Sequence, residues 1–497
     1  MITTLRPFPA AVATAVARAV AGALALASLA VGARSADAQA FDRTRPPALG
    51  AAAPLVVPTV HAARLPNGPA LQVVEHRELP LVQVTLTIAG GGRLDNDRPG
   101  LASFTANLLD EGAGRRDANA LQAELAYLGA SLSTGASWDA ITVSLKVARR
   151  NLEPALDLMA DVVLRPTFDA TEVRRQRDLR AAGILQQRDQ PASLGGLALA
   201  QAIFPKGHPY RQSLGGDSAS TAPLDSAMVR DFYAGAFRPG RATFYVVGDL
   251  ATAEAQQLLA RRFGGWRATG PERRPAPVLT AAARPQGLQV ILVDKPGAAQ
   301  SIVTVGTTGV ERTSADLAAI DVMNTILGGS FSSRLNTNLR ETKGYTYGAS
   351  SGFAYRPLPG PFTASAAVRT DVTDSSLVEL FKELRAIRDG PVSDDELARA
   401  KAYITLGLPG DFESTSQVAG QMASLANWNL PLTWLQEYVQ RIEKVTAADV
   451  QRVARQYVPA ENGYVIVVGD LARIRAGIEA LRLGPVTVRT VAELVQP

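Results

Sequence analysis

The chain contains no cysteine and only three histidines among its 497 residues. Without cysteine, disulfide bonds, thiol catalysis, cysteine-based zinc sites and a lipidated N-terminal cysteine are all excluded. Aromatic residues make up only 6% of the chain, and the net charge of +5 is spread along it. Because no basic stripe is interleaved with aromatic residues, the composition argues against nucleic-acid binding.

The sequence beyond residue 40 also lacks any apolar run long enough to span a bilayer. Within the first 40 residues, Arg6 and Arg18 precede the apolar run 19–33, and Ala38-Gln39-Ala40 offers small residues for cleavage. This pattern predicts a secretory signal peptide over residues 1–40. An uncleaved anchor is the alternative, although the run is shorter than the ~20 residues that span a bilayer. Export without disulfides predicts a periplasmic protein with no stable membrane span after signal cleavage.

The length of 497 residues predicts at least two domains, and internal matches indicate that they are copies. The pentapeptide Val-Val-Gly-Asp-Leu occurs twice, and two further pairs of positions match at nearly the same spacing. The matching pairs are Val246 and Val467, Pro239 and Pro459, and Glu172 and Glu396. Because their spacings agree closely, they predict a duplicated domain of about 220 residues.

Each copy mixes strands with helices. Residues 71–74 and 81–88 are rich in β-branched side chains, whereas Asp117 precedes a run with helical apolar spacing. We therefore predict an α+β fold with two domains, each a mostly antiparallel sheet with helices packed on one face. The predicted domains cover residues 55–268 and 287–485, and the proline-rich stretch 269–286 links them.

The stretch 327–352, LGGSFSSRLNTNLRETKGYTYGASSG, places an arginine near two tyrosines in the second half. Its pattern predicts a helix that ends near Lys343-Gly344 and is followed by a strand. Arg340 and Tyr347 are seven residues apart. The residues alone leave two interpretations open: a functional pair, or a solvated helix residue and a core strand residue.

The order of segments from Ile88–Asp95 to Gly100-Leu101-Ala102-Ser103-Phe104 resembles the pitrilysin/insulinase family of zinc metallopeptidases, which includes the related mitochondrial processing peptidases. His208-Pro209-Tyr210 and residues 327–348 carry the same resemblance, which extends from about Leu65 to Leu483. It implies an H-x-x-E-H motif directly after Gly100-Leu101-Ala102. In such a motif two imidazoles hold zinc, and the glutamate takes a proton from the bound water.

This chain departs from the family pattern at that motif. The motif positions hold Ser103, Ala106 and Asn107, and the expected third ligand falls at Ala182 or Gly183. The three histidines, His61, His76 and His208, have no carboxylate at helical spacing and are interpreted as surface or structural residues. We therefore expect no metal site and no cofactor in this chain.

The resemblance implies a role for Arg340 and Tyr347, whose spacing matches a family pair that reaches a zinc site. A phenol can donate a hydrogen bond to a developing oxyanion, and a guanidinium adds positive charge. The implied protein is the non-catalytic subunit of a periplasmic heterodimer that cleaves peptides or unfolded proteins. Its partner would carry the H-x-x-E-H motif and the zinc. Arg334 and Tyr345 have the wrong spacing for this role. A structural or interaction protein of the same fold remains the alternative.

Overall fold

The computed structural model describes residues 55–277, 279–281 and 283–495. These residues belong to one compact unit that begins at Leu55. The predicted signal peptide, residues 1–40, lies outside the described residues. Within the described ranges, no helix combines the length and apolar character needed to cross a membrane.

In the described part of the chain, twelve strands form two six-stranded mixed sheets. The strands of the first half are β1 (His61–Arg64), β2 (Ala70–Glu75), β3 (Leu81–Ala89), β4 (Ser131–Ala136), β5 (Ala140–Ala148) and β6 (Ala242–Gly248). Those of the second half are β7 (Leu288–Asp294), β8 (Gln300–Thr308), β9 (Thr346–Phe353), β10 (Pro361–Arg369), β11 (Gly463–Gly469) and β12 (Val486–Arg489). The first sheet has the order β1-β2-β6-β3-β5-β4, and the second has β12-β7-β11-β8-β10-β9.

The two sheets repeat the same topology in five of their six positions. Strand β7 begins about 220 residues after β2, and β11 begins about 220 residues after β6, which is the spacing of the sequence repeat. The predicted α+β class and the duplication are therefore confirmed. The sixth position differs, since β1 is antiparallel to β2 whereas β12 runs parallel to β7. Residues 65–69 join β1 to β2, and β6 lies between β2 and β3 in the sheet.

The repeated Val-Val-Gly-Asp-Leu motif ends the central strand of each sheet. Val246, Val247, Val467 and Val468 are at most 1% exposed, as expected for strands covered on both faces. Gly248 has a φ of 145°, and a Cβ there would lie 2.1 Å from the carbonyl oxygen of Leu81. Only glycine fits this close approach, so the motif marks where β6 ends against β3.

Seventeen α-helices connect and cover the sheets in the described residues. In the first half they are α1 (Leu101–Asn107), α2 (Ala118–Tyr127), α3 (Leu152–Leu164), α4 (Ala170–Gln187), α5 (Pro191–Ile203), α6 (Ser218–Thr221), α7 (Ser226–Ala236) and α8 (Thr252–Phe263). In the second half they are α9 (Leu317–Asn324), α10 (Arg334–Asn336), α11 (Thr373–Asp389), α12 (Asp394–Gly407), α13 (Thr415–Ala426), α14 (Trp434–Lys444), α15 (Ala447–Tyr457), α16 (Leu471–Ala480) and α17 (Val491–Val495). Short 3₁₀ turns span Gly91–Leu94, Arg149–Asn151, Pro209–Arg211, Pro239–Arg241, Thr370–Val372 and Leu408–Phe412.

Local capping explains where several helices begin. The Asp117 carboxylate accepts a hydrogen bond from the Ala120 amide at the start of α2, as the sequence predicts. Ser393 and Glu396 form a reciprocal capping box at the start of α12. These side chains satisfy amide groups that have no partner within the helix.

Each half covers its partner half's sheet with one helix. Helix α5, from the first half, packs on β8 and β11, and α13, from the second half, packs on β3 and β6. Gly306 in β8 permits the first contact, because a Cβ there would lie 2.6 Å from a Leu199 methyl group. Ser416 in α13 donates a hydrogen bond of 3.0 Å to the Gln83 side chain in β3. Helices therefore cover both faces of each sheet rather than the one face predicted, and one cover comes from the other half.

Candidate functional site

The stretch that carries Arg340 and Tyr347 combines unusual helical winding with an edge strand. Two π-helical turns, Thr325–Gly329 and Thr337–Thr342, flank the short helix α10. Gly344 then adopts a φ of 63°, and strand β9 begins at Thr346. The predicted helix end near Lys343-Gly344 and the following strand are confirmed. π-helical turns occur frequently at functional sites.

Two buried asparagines fix this stretch to its surroundings. Asn336 donates a 2.7 Å hydrogen bond to the Phe331 carbonyl oxygen and accepts one of 3.3 Å from the Ala349 amide in β9. Asn338 donates to Glu379 at 3.0 Å and to Glu383 at 2.6 Å. The turn, the helical segment and the edge strand are therefore held together by polar contacts that a change of winding would break.

Arg334, the alternative arginine, is engaged in the fold. Its guanidinium donates two hydrogen bonds, of 2.7 and 2.9 Å, to the Glu396 carboxylate. This bidentate pair lowers the pKa of Glu396 to about 2. Because its Nε and Nη2 both donate to Glu396 in α12, Arg334 stabilises the packing of the second half.

Arg340 lies on the second π-helical turn with its side chain 36% exposed. Its guanidinium carbon sits 4.5 Å from the centre of the Phe331 ring, and its Nε lies 3.2 Å from the Glu341 carboxylate. A guanidinium over an aromatic face is attracted by the ring quadrupole. The stacking limits the motion of a long side chain that still reaches solvent.

Tyr347 projects from a β-bulge. Thr346 pairs with Val368 and Ala349 pairs with Ala366, so Tyr347 and Gly348 together face Ala367. A bulge of this kind turns a side chain out of the strand's regular alternation. Tyr347 is 91% exposed, and the interpretation of this tyrosine as a core strand residue is wrong. The π-helical turn of Arg340 packs against β9, although the described residues show no hydrogen bond between the two side chains.

The positions of the degenerate motif lie on helix α1 in the first half. Ser103 is buried, and its hydroxyl lies 3.0 Å from the Gly100 carbonyl oxygen and 3.1 Å from that of Leu214. Ala106 is completely buried, and Asn107 is exposed at the end of the helix. Of the three, only Ser103 presents a polar atom inward, and that hydroxyl is used by the fold.

Arg180 occupies the space beside Ser103, a contact that no motif in the sequence predicts. Its Nη1 donates to the Gly100 carbonyl oxygen at 2.8 Å, to the Ser103 hydroxyl at 3.0 Å and to the Gly215 carbonyl oxygen at 3.3 Å. The guanidinium also lies 5.0 Å from the Phe104 ring centre. Burial lowers the pKa of Arg180 to about 10, so the group stays cationic at neutral pH.

A fixed cation beside the motif positions opposes a divalent metal ion. The donor set on α1 also lacks the imidazoles and carboxylate of a zinc site, so these residues do not fit the zinc of the family. In the part of the chain that the structure describes, no cluster of three or more His, Asp or Glu side chains could hold a metal ion. The expected third-ligand positions, Ala182 and Gly183, lie on α4 just beyond Arg180.

The Asp95 carboxylate binds backbone amides at the start of α1. It accepts hydrogen bonds from the amides of Gly100 at 2.9 Å and Ala102 at 2.6 Å. Burial raises the pKa of Asp95 to about 7 against the effect of these bonds and of nearby Arg273 and Arg180. The carboxylate therefore has a capping role at a buried helix start.

His208 is a buried structural histidine. Its Nδ1 accepts a 3.0 Å hydrogen bond from the Tyr210 amide, and its ring stacks on Phe204 with 4.4 Å between ring centres. Burial, aided by the Arg356 cation, lowers the pKa of His208 to about 4. The imidazole is neutral at physiological pH and holds the 3₁₀ turn that begins at Pro209.

The fold and the site define a class of protein: a duplicated α+β protein with the architecture of a zinc peptidase. In its first half, other residues occupy the positions of the zinc-binding motif. Residues 73–212 match the model of the insulinase family, peptidase family M16, and residues 223–404 match that of the peptidase M16 inactive domain. Together the matched ranges cover more than half of the chain. The chain therefore belongs to the M16 peptidase family.

Individual relatives agree with this assignment. The chain is 25% identical over 370 residues to an uncharacterized zinc protease of Mycobacterium leprae, an alignment that covers 74% of this chain and 82% of the relative. It is 22% identical over 429 residues to a probable mitochondrial-processing peptidase subunit beta of Arabidopsis thaliana, with 84% and 80% covered. The crystal structure of a peptidase M16 inactive domain from Pseudomonas fluorescens superposes with a TM-score of 0.76 at 28% identity, with 82% and 98% covered.

Proposed function

We propose that this protein is the non-catalytic subunit of a periplasmic zinc peptidase heterodimer. The observation that carries the proposal is the contrast between the halves: the motif positions on α1 are replaced and blocked by Arg180, whereas Arg340 and Tyr347 are displayed at the surface. A partner chain with a complete H-x-x-E-H motif would supply the zinc. The substrate would be a peptide or an unfolded protein segment.

In this proposal the two exposed side chains act on the substrate held by the partner. The Tyr347 hydroxyl donates a hydrogen bond to the oxyanion that forms when water attacks a peptide carbonyl group. The Arg340 guanidinium adds positive charge near that oxygen and orients the substrate. Fixing both groups on a rigid segment removes the cost of ordering them during the reaction.

The test mixes the full-length protein with a chain that carries the complete motif and measures peptide hydrolysis. Activity is expected only in the mixture, and Tyr347→Phe should lower its kcat about 10²- to 10³-fold, as for loss of one oxyanion donor. Tyr127→Phe is the matched control, because Tyr127 is 90% exposed on the first half. If the protein alone cleaves peptides and contains one zinc per chain, the proposal is wrong.

The alternative is a structural or interaction protein of the same fold without a peptidase role. Under that alternative Tyr347→Phe would leave the activity of any mixture unchanged, and complex formation would be the only measurable function. The exposed, bulge-directed tyrosine favours the peptidase role over a purely structural one, because a scaffold gains no stability from a side chain that is 91% exposed.

A further inference from the structure

A cavity of about 480 Å³ lies between the two halves, away from the stretch 327–352. Its walls come from the end of α4, helix α5 and residues 210–217 of the first half. The second half contributes Arg356, the start of β10 and the C-terminal helix α17. This volume is in the range of sites for small organic ligands and short peptides.

One side of the cavity is apolar. Leu194, Leu199, Phe204 and Leu494 line it and belong to the hydrophobic cluster in which α5 meets the second sheet. Each of these four side chains is at most 2% exposed. The wall on this side of the cavity is therefore apolar and closely packed.

The second half contributes a guanidinium, that of Arg356, to the cavity wall. The Arg356 guanidinium carbon lies 4.5 Å from the Tyr210 ring centre and 5.9 Å from that of Trp138. Within residues 55–277, 279–281 and 283–495, Arg356 makes no hydrogen bond or ion pair, and burial lowers its pKa. Asp139 is the carboxylate whose field it feels, and this carboxylate lies 3.7 Å from Arg93. The two aromatic rings hold the Arg356 guanidinium in place, and its N–H groups have no partner among the described residues.

Two residues of the cavity wall each hold a buried polar atom without a partner among the described residues: Arg188 its Nε and Gln212 its Oε1. Arg188 keeps its place because its Nη2 donates to the Ser218 hydroxyl at 2.9 Å. Buried donors and acceptors without partners cost free energy, so such groups indicate a missing ligand. The two guanidinium groups require an acceptor with negative charge, and the amide oxygen requires a donor.

We propose that this cavity binds the C-terminal residue of a peptide whose last side chain is apolar. The terminal carboxylate pairs with Arg356 and Arg188, a backbone N–H donates to Gln212, and the side chain lies against the apolar wall. Arginine suits this role because its planar donors match a carboxylate. The site goes beyond the proposed peptidase role, since no residue of the stretch 327–352 lines the cavity.

The test is isothermal titration calorimetry of the full-length protein with Ala-Ala-Ala-Leu, as the free acid and as the C-terminal amide. The free acid is expected to bind at least about tenfold more tightly, the effect of one charge-assisted contact worth about 1.4 kcal/mol. Arg356→Gln should remove this preference, whereas Arg77→Gln, a surface arginine paired only with Glu75, should retain it. Equal binding of acid and amide, or an unchanged preference in Arg356→Gln, would overturn the proposal.

A fatty carboxylate offers the same charge and an apolar body but no backbone N–H. Octanoate is therefore expected to bind at least about tenfold more weakly than the peptide acid, and Gln212→Ala should weaken the peptide and leave octanoate unchanged. If octanoate binds as tightly as the peptide, the assignment to a peptide C-terminus is wrong. Because Gln212 lies in a loop, this variant also tests the site if Arg356→Gln fails to fold.

Discussion

Arg180 adds a buried cation to the three motif positions at which this chain lacks metal ligands. Its guanidinium donates to two backbone carbonyl groups and to Ser103, at the place where a zinc site would need negative charge. The charged run 172–188 contains several arginines, and nothing in the sequence distinguishes Arg180 from its neighbours. The replaced motif could be predicted from sequence, whereas the cation that fills its place could not.

Restoring the motif residues alone should therefore fail to restore a metal site. In the variant Ser103→His, Ala106→Glu, Asn107→His, we expect zinc affinity at least about tenfold lower than in the same variant with Arg180→Ala, because the buried cation repels the metal. Zinc content and Kd measured by competition with a chelator check this. Arg177→Ala on the same helix is the control. Equal zinc affinity with and without Arg180 would contradict the electrostatic account.

A second residue-level prediction concerns the Arg334–Glu396 pair. The folded pKa of Glu396, about 2, lies below its unfolded value of 4.5, so the pair stabilises the fold above pH 4.5 and loses this effect as the pH falls toward 2. The loss should be roughly 1–3 kcal/mol. Urea unfolding between pH 6 and pH 3 of the wild type and of Glu396→Gln measures it. The variant should show a shallower pH dependence, and parallel curves would refute the role of this pair.

At the scale of elements, the sequence predicts several strands and one helix start. The β-branched residues of 71–74 and 81–88 mark β2 and β3, and Asp117 marks the start of α2. The π-helical turns and the bulge at Tyr347 could not be predicted, since they depend on buried contacts of Asn336 and Asn338 made elsewhere in the fold. Local patterns also do not state which sheet a helix covers, so the sequence does not predict the exchange of helices, in which α5 and α13 each cover the sheet of the other half.

The contact between α5 and β8 gives an element-level prediction. Gly306→Ala should destabilise the protein by roughly 1–3 kcal/mol, because the new methyl group would lie 2.6 Å from Leu199. Gly183→Ala, in the interior of α4 with no atom within 4 Å of the new Cβ, should instead raise stability by roughly 0.5–1 kcal/mol. Free energies of unfolding in urea distinguish the two. If Gly306→Ala left the free energy of unfolding unchanged, α5 would be able to move away from the sheet without loss of stability.

At the scale of the whole molecule, the two halves are copies that depend on each other. The repeated pentapeptide predicts the duplication. The domain boundaries at residues 268 and 287 remain a prediction. The exchanged helices bind each half to the other through apolar clusters that contain residues of both. Each half alone would expose one face of its sheet.

A chain cut between the halves should therefore stay together. Cleavage at a protease site introduced after the exposed Arg274 is expected to leave both fragments in one complex, because the exchanged helices remain buried. Size-exclusion chromatography of the cut protein, followed by denaturing gel electrophoresis of the peak, checks this. Separate elution of two folded fragments would show that the halves are independent domains.

The exchange of helices also sets the order in which the protein can fold. Helix α5 ends at Ile203, whereas its partner strand β11 begins only at Gly463, more than half of the chain later. At ~5–20 residues per second, a ribosome needs on the order of 10–50 s to make that interval. Throughout this time the apolar face of α5 has no complete sheet to cover. The first half therefore leaves the ribosome with the apolar face of α5 uncovered, and this face is prone to aggregation until β11 has been made.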